Sequence, residues 1–225
     1  MAFMKTNTVY ITVNGTIYNS LNDYGLAIEN TDYIGEPIQG DSGIVIVPGM
    51  DGILDTTDAV FGGQWYKYRK ISIRFGALKP SEDWDEEMSN IRNLFNGKNI
   101  KLTFANDPDW YWSGRCSIKN FSRNRSLGTF DLVINNADPY KHKDITLTTT
   151  ATTSGATVTA DVTEQTIVPT ITCAASITIT VDNDKTFSFT SGTHKNLEMR
   201  LGPGTHSLKV KGSGAVTIFY KDGSL

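Results

Sequence analysis

Polar and apolar residues alternate with a period of two through most of this chain, the pattern of half-buried strands. Val9–Val13 (VYITV), Thr16–Tyr18 and Leu26–Glu29 predict short strands joined at Asn14-Gly15 and Asn22-Asp23, pairs that suit tight turns. Ile44–Val47 (IVIV) is extended and runs into Pro48-Gly49-Met50-Asp51-Gly52, where proline and two glycines demand a bent backbone of defined shape. Phe61–Gln64 (FGGQ) predicts another bend. Trp65–Phe75 reads as a long strand with Tyr66, Tyr68 and Lys70 on one face and Ile71, Ile73 and Phe75 on the other. Its apolar phase shifts near Arg69, which predicts a bulge or a change of buried face there.

One stretch changes period. Trp84, Met88, Ile91 and Phe95, with Leu94 alongside, recur at helical spacing and form one stripe. Ser81 after Pro80 is the expected N-cap, Glu82, Asp83, Asp85, Glu86 and Glu87 suit the positive end of the helix dipole, and Asn96-Gly97 supplies the stop. This is the single helix the pattern predicts. Alternation resumes at Asn99–Phe104 and Arg115–Phe121, and between them lies NDPDWYWSGR, Asn106–Arg115. Asn106-Asp107-Pro108-Asp109 has the chemistry of a reversal, so Trp110, Tyr111 and Trp112 sit at the tip and returning arm of a hairpin. Such an aromatic group needs a partner surface, either its own domain or another molecule, and these three are the candidate contact residues. Thr129–Ile134 is one more strand.

Composition changes after Tyr140. All four tryptophans precede residue 113, and fourteen threonines fall between Thr146 and Thr180. Val158, Val162, Ile167, Ile171, Ile177, Ile179 and Val181 interleave with them, so this is strand-forming sequence. Thr186–Phe189, Asn196–Leu201, Thr205–Val210 and Ala215–Tyr220 predict further strands, with turns at Asp182-Asn183-Asp184, Ser191-Gly192, Gly202-Pro203-Gly204 and Gly212-Ser213-Gly214. Short strands with glycine-rich turns predict a β-sandwich. The expected domains are therefore 1–140 and 141–225, in a mainly β chain.

Charge and chemistry narrow the function. The chain of 225 residues has net charge −3, and its basic and acidic residues number 13 and 17 before residue 141 and 8 and 7 after it. Neither half is a polycation, which argues against nucleic acid as a partner. No apolar run approaches the roughly 20 residues of a membrane helix, and the N-terminus lacks the apolar core of a secretory signal. Cys116 and Cys173 have no metal-ligand spacing and read as buried apolar residues. His142, His194 and His206 fall outside any catalytic motif, and surface positions are expected for His142 and His206. GxSxG, HExxH and the P-loop pattern are absent. Asp182-Asn183-Asp184 lacks the spaced ligands of a calcium loop, and the acidic helix start reads as solvated rather than cation-binding. No catalytic residue, metal ligand or cofactor is expected. Asp107 and Asp109 beside Trp110 could suit a sugar, but a turn with its aromatics packed on a neighbour is the preferred reading.

Several stretches, in order along almost the whole chain, resemble the distal tail protein (Dit) family of long-tailed bacteriophages. They are PGMDGILD at Pro48–Asp55, YRKISIRF at Tyr68–Phe75, the NDPDWYWSGR hairpin, NADPYKHK at Asn136–Lys143, and LGPGTHSLKVKGSGAVTIFYKDG at Leu201–Gly223. Met50 stands where the family's PGRDG has arginine, so the resemblance carries the shape of that bend but no ion pair. The resemblance implies an N-terminal β-barrel-like domain with one helix, then a galectin-like or carbohydrate-module-like sandwich. That second fold makes a non-catalytic carbohydrate-binding protein the alternative class, against which Thr146–Leu225 holds no tryptophan and Tyr220 as its one tyrosine. The resemblance also implies a structural virion protein at the tail tip, made in the bacterial host cytoplasm. Its partners would be itself, as a homohexameric ring or two stacked rings, the tail tube protein, the tail-associated hub protein and receptor-binding or baseplate proteins. Edge strands and clustered aromatics would be buried between such subunits.

Overall fold

The computed structural model describes residues 8–29, 33–41, 43–49, 51–61, 65–77, 84–123 and 128–225. The expected N-cap at Ser81, the acidic pair Glu82 and Asp83, Met50 and most of the FGGQ bend lie outside them. The chain divides into two compact units, Met1–Pro139 and Tyr140–Leu225.

The first unit is built on one eight-stranded sheet. Its strands are β1 (Val9–Val13), β2 (Thr16–Asn19), β3 (Leu26–Ile28), β4 (Ile38–Gln39), β7 (Tyr66–Ala77), β8 (Asn99–Phe104), β9 (Trp112–Arg123) and β10 (Gly128–Ala137). They run β2-β1-β8-β9-β10-β7-β3, with β4 also on β7. Strand β9 joins the halves: Trp112–Arg115 pairs with β8, and Cys116–Arg123 pairs with β10. Near its far end, Asn120 has φ +52° where the register with β10 slips, and its amide donates to Asp131 at 2.6 Å. A left-handed residue in such a bulge bends the strand. Val9, Ile11, Ile100, Leu102, Ile71, Ile73, Phe75, Phe130, Leu132 and Ile134 from both halves share a single core, so the sheet is folded over itself.

Helix α3 (Trp84–Phe95) closes that core with the stripe the sequence predicts: Trp84, Met88, Ile91 and Phe95 are buried. Phe95 meets Tyr18 and Tyr24 edge-on, at 5.7 and 6.1 Å between ring centres. Gly97, at φ +74°, ends the helix. Two further single-turn helices correct the expectation of one. Asn22 and Asp23 belong to α1 (Ser20–Tyr24), not to a turn. The Asn19 side chain accepts from the Leu21 and Asn22 amides, Asp23 accepts from the Asn19 amide, and Gly25 at φ +63° terminates the turn. Helix α2 is Thr57–Phe61.

Strand β7 carries the irregularity the sequence predicts near Arg69: Ile38 of β4 pairs with Tyr68 and Gln39 with Tyr66, leaving one extra residue in β7. Arg69, Ile71, Ile73 and Phe75 are all buried, so from Arg69 onward the inward face keeps one phase. The pairing with β10 is irregular too: Ile134 pairs with Ile71 but Ala137 with Arg69, leaving one extra residue in β10. That strand consequently runs to Ala137, beyond the expected end at Ile134.

The second unit is a sandwich of two four-stranded antiparallel sheets. One has the order β11 (Lys141–Ala151), β18 (Gly214–Ser224), β13 (Thr170–Cys173), β16 (Gly192–Lys195). The other has the order β12 (Ala156–Val162), β17 (Gly204–Gly212), β14 (Ile177–Val181), β15 (Lys185–Phe189). Ile171, Val216 and Ile218 of the first meet Ala160, Ile179, Leu208 and Val210 of the second in one core. Threonines take the outward positions: Thr148, Thr217, Thr172 and Thr193 are in register across the first sheet. The expected turn Asp182-Asn183-Asp184 joins β14 to β15 with φ +49° and +59° at its first two residues. Asn196–Leu201, expected as a strand, instead turns after Asn196 and keeps one bridge, Leu201 with Ile167, and Gly192 opens β16. The Asn196 side chain accepts from the Glu198 amide at 2.9 Å, competing with strand pairing.

Candidate functional site

The hairpin that carries the candidate aromatics folds them largely onto their own unit. The Asp107 amide donates to the Phe104 carbonyl and the Trp110 amide to the Asp107 carbonyl, closing the reversal at Asn106–Asp109. Pairing of Leu102 with Trp112 then fixes the returning arm. Trp112 is 6% exposed and sits in the sheet's core, Tyr111 is buried, and Trp110 is half-buried. The Arg69 guanidinium lies 4.3 Å from the Trp112 ring centre, and the Lys101 ammonium lies 4.0 Å from that of Tyr111. Burial pushes Arg69 below its usual pKa, opposed by the nearby Glu36, Asp138 and Tyr66. Of the three aromatics, Trp110 has the most surface left for a partner.

A larger apolar surface lies elsewhere. Strands β5 (Ile44–Val45) and β6 (Leu54–Asp55) form a separate two-stranded ribbon, followed by α2. Successive residues of a strand point to opposite faces. Ile44, Val45 and Ile46 on one side and Ile53 and Leu54 on the other therefore make both faces of the ribbon apolar. All five are exposed, Ile46 at 78%, and Val60 of α2 adds another at 63%. A monomer rarely displays so contiguous a patch without a partner for it. Burying these six side chains would contribute on the order of 10 kcal/mol before the cost of association.

The base of this arm is fixed. The Thr56 amide and hydroxyl both donate to the Gly43 carbonyl, at 2.7 and 2.9 Å. A Cβ on Gly43 would come within 2.6 Å of the Thr57 backbone, so only glycine permits this closure. Asp55 caps α2 by accepting from the Thr57 amide at 2.9 Å. Hydrogen bonds from Thr57, its side chain first, hold the Asp55 carboxyl below the usual range. At the far end, Gly49 and Gly52 have φ +83° and +90°, the left-handed values the glycines of this bend predict. The ribbon is thus presented in one orientation at its base. A second open element is β2, an edge of the large sheet among the described residues, with Ile17 exposed at 65%.

Titratable groups in the second unit staple its strands. His142 is 8% exposed, which corrects its expected surface position, and its Nδ1 lies 3.3 Å from the Asp222 carbonyl oxygen. The buried Asp222 carboxylate accepts from the amide and hydroxyl of Thr163. His206 is also less exposed than expected: Nδ1 lies 2.7 Å from an Asp182 oxygen and Nε2 lies 2.8 Å from the Gly202 carbonyl. Two acceptors favour the doubly protonated ring. Its pKa is raised, first by the Asp182 hydrogen bond, which outweighs the opposing effect of burial, and then by the Gly202 carbonyl. Cys116 and Cys173 are both buried free thiols, and burial pushes Cys116 up to about 12. Among the described residues no three His, Cys, Asp or Glu side chains gather where they could hold a metal ion.

No family model and no curated protein sequence matches the chain. Among solved structures it is similar to the crystal structure of the SPP1 Dit protein (gp 19.1), described as a paradigm of the hub adsorption apparatus in phages infecting Gram-positive bacteria. That likeness has a TM-score of 0.60 at 16% identity and covers 96% of this chain and 99% of that one. Over 96% of its length, the chain has the fold of that Dit protein.

Proposed function

We propose that this chain is the structural hub subunit of a phage tail tip: a homohexameric ring, single or stacked in pairs, that joins the tail tube to the tail-associated hub protein and to host-recognition proteins. The observation that carries the reading is the likeness to SPP1 Dit over 96% of this chain and 99% of that one, which leaves neither unit unaccounted for. The apolar arm supports it in physical terms. A ribbon apolar on both faces and fixed at its base suits insertion between two neighbours, and a closed ring gives every copy such a neighbour. The ring is assigned to the first unit, which carries the arm and the open edge β2. The second unit is the docking platform for tip proteins.

Light scattering over a concentration series, with images of the largest species, tests this. The expected particle is a ring near six times 24.8 kDa, or twice that for stacked rings. A monomer at every concentration, alone and with tail tube protein added, would overturn the hub reading and leave a free binding module.

A further inference from the structure

The second unit has a cleft of about 400 Å³ where β14 begins and β15 and β17 end. That volume is within the range of small-ligand sites. Its lining includes Ser176, Ile177, Thr178, Ser188, Phe189 and Lys211. Register places Lys211, Thr178 and Ser188 side by side in one row across three strands. In the next row, Thr180 and Thr186 satisfy one another, with hydroxyls 2.9 Å apart. The cleft row differs: among the described residues the Lys211 ammonium and the Thr178 and Ser188 hydroxyls have no hydrogen-bond or ionic partner.

The stem of Lys211 has a lysine neighbour. Gly155, at φ +94°, lies against the stems of Lys209 and Lys211; a Cβ there would come within 2.8 Å of Lys209 Cε and 3.2 Å of Lys211 Cγ. Two lysines therefore lie together on one face, and neither has a carboxylate partner among the described residues. Like charges held together repel, and a shared anion relieves that repulsion.

We propose that this cleft binds an anionic saccharide or polyol. The phosphate or carboxylate would sit at Lys211, with Lys209 adjacent, and ligand hydroxyls would bond to Thr178 and Ser188. Recognition by charge and hydroxyls also fits a unit with so few stacking aromatics. The proposal does not depend on ring assembly.

Ligand-observed saturation-transfer NMR on the full chain tests it at any assembly size, with glucose 6-phosphate, glucuronate and glucose as probes. The expected result is saturable binding of one or both anions, weakened by salt, with glucose at least about ten-fold weaker. Whichever anion binds better identifies the charged group. Lys211 is exposed, so Lys211→Met should leave the fold intact while weakening the anion about ten-fold. Thr178→Val, of similar shape, should weaken it by a smaller factor. Equal binding of glucose, no loss in Lys211→Met, or no saturable signal from either anion would overturn the proposal.

Discussion

Arg69 and Trp112 are packed face to face, the guanidinium 4.3 Å from the indole ring centre and both residues about 6% exposed. The pair joins β7 to the start of β9, strands that are not neighbours in the sheet. Arg69 Nε has no hydrogen-bond partner, so the cation is buried with incomplete compensation. Replacing such a charge by an apolar side chain of similar length removes both its desolvation cost and its attraction to the ring. Arg69→Met is therefore expected to change stability by less than about 1 kcal/mol, whereas Trp112→Ala should cost about 3–5 kcal/mol through the cavity it leaves. Urea unfolding of the two variants checks this. A loss of several kcal/mol in Arg69→Met would show that the charge itself holds the strands.

That pair also shows where the sequence can be read and where it cannot. The alternation in β1, β7 and β8 and the stripe Trp84, Met88, Ile91 and Phe95 specify their elements because local periodicity and burial agree. The break in β7 near Arg69 is legible as a shift of apolar phase, but the face Arg69 takes is not, because an arginine looks like a solvent residue and only Trp112 opposite makes it an inward one. Asn22-Asp23 and Asn196–Leu201 miscarried for a different reason. In both, an asparagine side chain redirects the backbone, Asn19 capping a helix and Asn196 closing a turn. The exposed arm was legible as a bent extended segment, but its exposure was not. IVIV has no alternation, and whether its two faces are covered depends on what the rest of the chain places against them.

If the arm is the contact between subunits, charging it should stop assembly without unfolding the subunit. Ile46 and Ile53 are 78% and 59% exposed, so Ile46→Asp with Ile53→Asp removes no contact of the core. The expected outcome is a monomer by light scattering under conditions where the natural chain assembles, with Tm no lower than that of a dissociated natural subunit. Desolvating a single unpaired carboxylate in the interface costs several kcal/mol, enough to shift association by more than about a thousand-fold for the pair. Rings of unchanged mass would move the interface away from this arm.

The closure at the base of the arm gives a separate expectation. Gly43→Ala places a Cβ within 2.6 Å of the Thr57 backbone, which must break the Thr56–Gly43 hydrogen bonds or shift α2. Loss of one or both should loosen the ribbon by about 1–2 kcal/mol locally while the core of the sheet stays intact. Hydrogen exchange should rise at residues 43–57 and stay unchanged in β8 and β9. Faster exchange throughout the first unit would mean that the arm base supports the whole sheet.

The His206–Asp182 pair predicts how the second unit responds to pH. Its two halves titrate in opposite directions. His206 has a folded pKa raised above 6.5, so its contribution is complete below 6.5 and is lost as pH rises through the folded value. The pKa of Asp182 is lowered below 3.8, first by the His206 hydrogen bond and then by the Ser207 amide. Its contribution is present above 3.8 and is lost as pH falls through the folded value. Between these limits the pair is fully formed, so stability of the unit should fall on going from pH 6 toward pH 9. The Asp182 side chain is 45% exposed, so water screens the pair and the loss should not exceed about 1 kcal/mol. His206→Gln can still donate one hydrogen bond but carries no charge, and should flatten this slope while leaving the fold unchanged. Unfolding midpoints measured across that range for both forms give the answer: an equal slope in His206→Gln would place the titrating group elsewhere.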